Sequence, residues 1–127
     1  MEKDISSIIN ALEIKDDLDN ECCRQPSLYM TVNMLLADAD FTYETANKRL
    51  DQLKASKYIH YKTSTASKVT DATTQAAVTS DLDVIEAERL ALEAKRDKNV
   101  LFGLVRALDQ KKDMLKSLSF MRREYRE

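Results

Sequence analysis

The segment from Lys48 to Lys68 concentrates side chains that could bind an anion. Six bases face a single acid over these residues, although the whole chain of 127 residues carries a net charge of −2. The segment also holds the only histidine, His60, and two of the five tyrosines, Tyr58 and Tyr61. Lysines that follow a phosphate backbone, together with tyrosines that stack on unpaired bases, are typical of proteins that bind single strands without sequence preference.

The sequence therefore predicts a surface for single-stranded nucleic acid in this segment. The candidate residues are Lys48, Arg49, Lys54, Lys57, Tyr58, His60, Tyr61, Lys62 and Lys68. Most of those from Lys54 to Lys62 are three or four positions apart, so they share one side of a helix. The alternative is that positive charge at a helix C-terminus only stabilises the helix dipole. The excess of bases over acids is larger than that role requires.

The sequence contains no catalytic or metal-binding constellation. One histidine cannot form a histidine-rich metal site, and the adjacent Cys22 and Cys23 lack the spacing of zinc ligands. A single glycine leaves no glycine-rich loop for a nucleotide phosphate. We therefore expect a protein that is not an enzyme and uses no cofactor or metal. Its two cysteines are expected to be free thiols in a reducing compartment.

Composition predicts an all-α fold in a single domain. The chain has one glycine and one proline, too few for the turns of a sheet protein. The expected order is an N-terminal helix and loop (1–26), a long helix (27–62), a linker with a short helix (63–80) and a long C-terminal helix (81–127). The two long helices are expected to be antiparallel.

Local signals predict where these helices begin and end. Periodic isoleucines indicate a first helix from about Asp4 to Asp19. Pro26 and Ser27 suit the start of the second helix, since proline needs no hydrogen-bond acceptor there and serine is a good N-cap. Thr70 suits the N-cap of the short helix, and Ser80 that of the last helix.

A leucine seam on the C-terminal helix predicts assembly into an oligomeric helical bundle or ring. The seam positions are Leu101, Leu104, Leu108, Leu115 and Leu118. A second stripe that includes Phe102 and Met114 widens the apolar face, and with few aromatic residues partner subunits are expected to complete the core. Gly103 lies within this region, where it indicates close packing against a crossing helix or, alternatively, a kink.

Three segments resemble the UvsY-type recombination mediator proteins of phages. "ANKRLDQLKASKYIHYKT" resembles the end of that family's long helix, where a basic run precedes tyrosines. "KVTDATTQAAVTSD" resembles its polar crossover with a short helix, and "VLFGLVRALDQKKDMLKSL" with "RREYRE" resembles its C-terminal helix. The resemblance covers roughly residues 29–123 as a diffuse pattern without a sharp signature.

The resemblance implies a helical homo-oligomer, of six or seven subunits, that binds single-stranded DNA. It also implies that the protein helps a RecA-like recombinase displace single-strand-binding protein and load as a filament. Lys54 and Lys57 match the family's basic positions, whereas Tyr58 and Tyr61 are shifted by one or two places from its aromatic positions. The family's C-terminal helices mediate assembly, in agreement with the leucine seam.

The expected location is the cytoplasm of a host cell, without contact with the membrane. No run of about 20 apolar residues could cross a bilayer. The N-terminus also lacks the basic and then apolar pattern of a signal peptide.

Two alternatives stay open at this point. The chain could be a phage coiled-coil scaffold, adaptor or assembly chaperone whose blocks of charge recognise protein. The segment Arg122–Arg126 is a second candidate for nucleic acid, although pairing with the acidic residues 1–22 of a neighbouring chain is the favoured interpretation there.

Overall fold

The computed structural model describes residues 2–15, 17–64 and 70–126, with side chains from 4 to 124 within those ranges. These residues form four helices and no strand, which confirms the all-α class. The helices are α1 (Glu2–Ala11), α2 (Leu18–Thr63), α3 (Asp71–Ser80) and α4 (Leu82–Arg126). The two long helices and the two short ones follow one another in the expected order.

The first helix boundary differs from the prediction. α1 ends at Ala11, and α2 begins at Leu18 rather than at residue 27. Asp17 caps α2, because its Oδ1 accepts a hydrogen bond of 2.9 Å from the backbone N–H of Asn20. The acids Asp19 and Glu21 consequently lie in the first turn of α2, where the helix dipole favours them. The same dipole would have opposed them at the end of a longer α1.

Pro26 lies inside α2 rather than at its start. Its ring supplies no N–H to the carbonyl of Cys22 one turn earlier, which weakens an isolated helix at this point. The neighbouring Gln25 offsets this locally, since its Nε2 donates a hydrogen bond of 2.8 Å to the backbone oxygen of Leu108 on α4. The predicted loop before Pro26 is therefore helical.

The caps of the two later helices were predicted with different success. Thr70 is confirmed as the N-cap of α3, because its Oγ1 accepts a 3.2 Å hydrogen bond from the N–H of Thr73. The cap of α4 is Asp81, whose Oδ1 accepts from the N–H groups of Asp83 and Val84 at 2.9 and 3.3 Å. Ser80, the predicted cap, instead donates to the carbonyl of Ala76 within α3.

The chain divides into two compact units, each containing part of α2 and part of α4 running antiparallel. Unit 1 comprises Met1–Asp38 and Asn99–Glu127, and unit 2 comprises Ala39–Lys98. In unit 2, Leu50 packs in a core cluster with Val84 from α4 and Val78 from α3. α3 therefore closes the core of unit 2, and α1, through Ile8, contributes a buried side chain to unit 1.

The predicted oligomer seam is instead the core of unit 1. Four of its five leucines are buried within the single chain: Leu101, Leu104, Leu108 and Leu115. Only Leu118, at 40% exposure, reaches the surface. Because the seam packs inside one chain together with Val32 of α2, assembly would have to use other surfaces.

Gly103 does not mark a close approach between helices of this chain. A Cβ atom added at Gly103 would meet no heavy atom within 4 Å. Its backbone continues the helix of α4, and no described non-glycine residue has a positive φ. The predicted close packing at this glycine is therefore wrong for contacts within the chain.

Candidate nucleic-acid interface

The segment predicted to bind nucleic acid lies in unit 2, on the last four turns of α2 and the residues after it. Its two tyrosines do not stand free on the surface. Tyr58 and Tyr61 are half-buried and pack against the core cluster of Leu50, Val78 and Val84. One edge of each ring is thereby committed to the fold, which reduces the area available for stacking on a base.

Tyr61 and Lys57 are also held by carboxylates at the start of α4. The Tyr61 hydroxyl donates a hydrogen bond of 2.6 Å to Oδ2 of Asp81. The Lys57 Nζ lies 3.4 Å from Asp81 and 3.1 Å from Asp83. Because these residues are one turn apart on α2, a single pair of acids neutralises Lys57 and orients Tyr61.

Tyr58 makes the equivalent contact with the first turn of α3. Its hydroxyl donates to Oδ1 of Asp71, and the same oxygen accepts a 3.1 Å hydrogen bond from Lys62. The Lys62 ammonium also lies 5.3 Å from the centroid of the Tyr58 ring, within cation–π range. We call the contacts of Lys57, Tyr58, Tyr61 and Lys62 with Asp71, Asp81 and Asp83 the tyrosine–aspartate network.

The tyrosine–aspartate network shifts its titrations away from neutral pH. The hydrogen bond to Asp83 raises the pKa of Lys57, and that to Asp81 raises the pKa of Tyr61. The hydrogen bond from Tyr61, with those from the backbone of Val84 and Asp83, lowers the pKa of Asp81. Asp81 therefore contributes stability above the ordinary carboxyl range, lost on acidification, while Lys57 loses its contribution only at high pH. The contacts persist through the neutral range.

Three cations of the segment remain available to a ligand. Lys48, Arg49 and Lys54 are exposed, and they form no ion pair with any residue that the structure describes. His60 is exposed as well, and its ring meets that of Tyr61 edge to face at 5.2 Å. Lys68 lies outside the described residues. The structure thus divides the predicted set into cations used by the fold and cations left at the surface.

Lys54, Tyr58 and Lys62 form a row along α2, since they are four residues apart and one turn lies between neighbours. A cavity of about 610 Å³ runs beside this row and is lined by Lys54, Tyr58 and Ile59 of α2 and by residues of α3 and α4. The row and the cavity together could hold a phosphate next to an apolar surface. Arg49 lies on another side of α2, where it lines a separate cavity with Phe41.

Sequence reasoning missed the three aspartates of the network. Asp71 was recognised for its favourable place in the first turn of α3, but not as a partner of a tyrosine. Asp81 is the N-cap of α4 and a partner of Tyr61 at the same time. A signal was present, because the acidic block of residues 71–97 follows the basic block directly and could fold back on it.

The C-terminal basic segment makes one contact within the chain. Arg122 lies 3.5 Å from Asp19 at the start of α2. The pairing of this segment with the acidic N-terminal residues was expected between neighbouring chains, and it occurs within one chain. The side chains of Tyr125 and Arg126 lie outside the described residues.

Two other features concern cofactors and membranes. No group of three or more histidine, cysteine, aspartate or glutamate side chains that could hold a metal occurs in the part of the chain that the structure describes. In the same residues, no helix combines the length and apolar character needed to cross a bilayer. Cys22 and Cys23 are free thiols, as expected, and both are exposed.

Comparisons with known proteins return no match: no protein-family model, curated protein or solved structure corresponds significantly to this chain. The resemblance to UvsY-type mediators therefore stays a prediction from the sequence. The fold and the candidate site define an all-α protein with a cationic helix surface in unit 2.

Proposed function

We propose that this protein is a single-stranded DNA-binding recombination mediator that helps load a RecA-like recombinase during phage recombination and repair. The DNA part of the proposal depends on one observation. Lys48, Arg49 and Lys54 keep their charges exposed and unpaired beside the row that continues to Tyr58 and Lys62. The recombinase part, including displacement of single-strand-binding protein, depends on the resemblance to the mediator family.

In this proposal the exposed cations bind phosphates while the tyrosine–aspartate network holds α2, α3 and α4 together. A base that stacks on Tyr58 would displace the Lys62 ammonium from the ring, and Lys62 could then bind a phosphate. One such surface binds weakly, but several copies in a homo-oligomer bind a strand tightly through multivalency. The protein would organise the strand for another protein without making or breaking a bond.

Salt dependence of binding tests the proposal directly. If Lys48, Arg49, Lys54 and Lys62 each neutralise one phosphate, log K for oligo-dT should fall with log salt at a slope of about −3. The variant Lys48→Ala/Lys54→Ala should flatten that slope to about −1.4 without loss of helicity. Fluorescence anisotropy at several salt concentrations gives both slopes, and circular dichroism monitors the fold.

A matched control removes two cations from α4 of the same unit. Lys95→Ala/Arg96→Ala makes the same change in net charge but should leave the slope unchanged. Lys57 is not suitable for this experiment, because Asp81 and Asp83 already neutralise it. Absence of oligo-dT binding at about 50 mM salt, where such electrostatic contacts are strongest, would exclude the DNA proposal.

The aspartates of the network should weaken DNA binding, because they place negative charge beside the proposed phosphate sites. We expect Asp71→Asn/Asp83→Asn to tighten oligo-dT binding by about tenfold at low salt, since Lys57 becomes available and repulsion falls. Asp81 is left unchanged because it caps α4. The control Asp109→Asn/Asp113→Asn changes net charge equally in unit 1 and should have little effect. Weaker binding by the first variant would mean that the network shapes the DNA site instead.

A second candidate function is that of a non-enzymatic phage scaffold, adaptor or assembly chaperone. It is favoured by the fact that Lys57, Tyr58 and Tyr61 already have partners within the chain. Large apolar side chains also remain exposed, among them Phe41 and Leu82. An oligomer that fails to bind oligo-dT would support this function over the mediator.

A further inference from the structure

An apolar groove lies between α2 and α4 in unit 1. The groove has a volume of about 760 Å³, and Pro26, Tyr29, Met30 and Leu115 line it. Met30 is largely exposed, so apolar surface of the groove is in contact with solvent. Burying this surface against another apolar surface would be favourable.

Gln25 gives the groove an unpaired hydrogen-bond acceptor. The side chain lines the groove, is only 8% exposed, and donates through Nε2 to the backbone oxygen of Leu108 at 2.8 Å. That bond fixes the amide orientation, because a carbonyl oxygen can only accept. The buried Oε1 accepts no hydrogen bond from the described residues. Buried polar atoms are normally paired, so the groove suits an apolar surface that carries an N–H donor.

The first three turns of α4, in unit 2, expose a stripe of that kind. Leu82, Ile85 and Leu92 are three and seven positions apart, so they lie on one side of the helix, and they are 80%, 47% and 61% exposed. The stripe is about 15 Å long, which matches the groove residues from Asp109 to Ser119 on α4 at the same rise per residue. We call these three residues and Arg89 between them the α4 stripe.

Charge on the two surfaces is complementary. Residues 81–93 contain five acids and one base. The groove is lined by Lys112 and Lys116, with Asp109 as its single acid. Arg89 hydrogen-bonds to Glu86 and Glu93 through three of its N–H groups, which leaves donors for an outside acceptor.

We propose that the groove of one copy binds the α4 stripe of a second copy. The contact would bury apolar surface on both sides, bring Lys112 and Lys116 near the acids of the stripe, and give Gln25 Oε1 the missing donor from Arg89. Each copy offers one groove and one stripe, so the contact is heterologous and adds copies until the assembly closes. The inference rests on the assembly part of the proposed function and supplies its interface in place of the leucine seam.

Disulfide cross-linking between two distinguishable chains tests this contact, because Cys22 is an exposed free thiol that lines the groove. The first chain carries Cys23→Ser and keeps Cys22. The second carries Cys22→Ser/Cys23→Ser/Ile85→Cys and a mass tag. Mild oxidation of the mixture is expected to give the mixed dimer. A control second chain with Gln52→Cys in place of Ile85→Cys should not cross-link.

Native mass of the wild-type chain and of Leu92→Asp completes the test. The wild type should form an oligomer, and Leu92→Asp should be monomeric with unchanged helicity, because residue 92 is on the surface. Cross-links between two copies of the first chain would show that two grooves face each other and would overturn the proposal, as would a monomeric wild type. No DNA is used, so failure here is distinguishable from failure of DNA binding.

Discussion

Replacing Lys111 by alanine is expected to lower the free energy of unfolding by about 3 kcal/mol, although Lys111 is a charged residue on a helix of a highly charged protein. Its Nζ lies 2.6 Å from Oε2 of Glu21 and 2.5 Å from the backbone oxygen of Ala11. Both side chains of the ion pair are only 3% exposed. Without Lys111, a buried carboxylate and the last carbonyl of α1 lose their cation.

The magnitude depends on what remains around Glu21. Its Oε1 still accepts from the N–H of Lys15 at 3.1 Å and lies 3.4 Å from Arg24. These contacts compensate part of the buried charge, which places the expected loss at the lower end for a broken buried pair. The double variant Glu21→Leu/Lys111→Met removes both charges and should be clearly more stable than Lys111→Ala, since no ion is left without its partner.

Urea denaturation followed by circular dichroism measures these differences. Lys112→Ala is the matched control, because Lys112 is adjacent, exposed, and only 4.0 Å from Asp109. It should change the free energy of unfolding by less than about 0.5 kcal/mol. Hydrogen exchange should also show faster opening of α1 in Lys111→Ala, since Lys111 binds the C-terminal end of that helix. Equal stability of Lys111→Ala and Lys112→Ala would contradict the role of the buried pair.

The sequence predicted those parts of the fold that depend on local chemistry. Scarcity of glycine and proline indicated long helices, and Thr70 was identified as a cap because its contact with Thr73 is only three residues away. The start of α2 was missed because Pro26 is an unfavourable interior residue by local rules. Contacts from Gln25 and Glu21 to α4, more than 80 residues away along the chain, support the helix there.

The candidate site was predicted less completely, for the same reason. The cations and tyrosines are visible in the sequence, but their partners are on other helices. Spacing alone could not distinguish Lys57, which meets Asp81 and Asp83, from Lys54, which meets solvent. The angular difference between them on α2 is small in pattern and decisive in the folded chain. Likewise, period alone cannot say whether leucines pack within one chain or between chains.

Leu108→Ala distinguishes those two possibilities for the leucine seam. Leu108 is fully buried within unit 1, so truncation should lower the free energy of unfolding by about 2–5 kcal/mol through lost burial and the cavity that remains. Leu118→Ala, on the same helix but 40% exposed, is the control and should cost less than about 1 kcal/mol. Urea denaturation measures both differences.

Protein concentration decides where the lost contacts were. For a core within one chain, the destabilisation caused by Leu108→Ala should be the same at low and high protein concentration, because no partner contributes to it. A seam between chains would give a larger destabilisation on dilution and a lower native mass for Leu108→Ala. Since Leu108 is buried by its own chain and its carbonyl binds Gln25, we expect the first result, with the native mass of Leu108→Ala equal to that of the wild type.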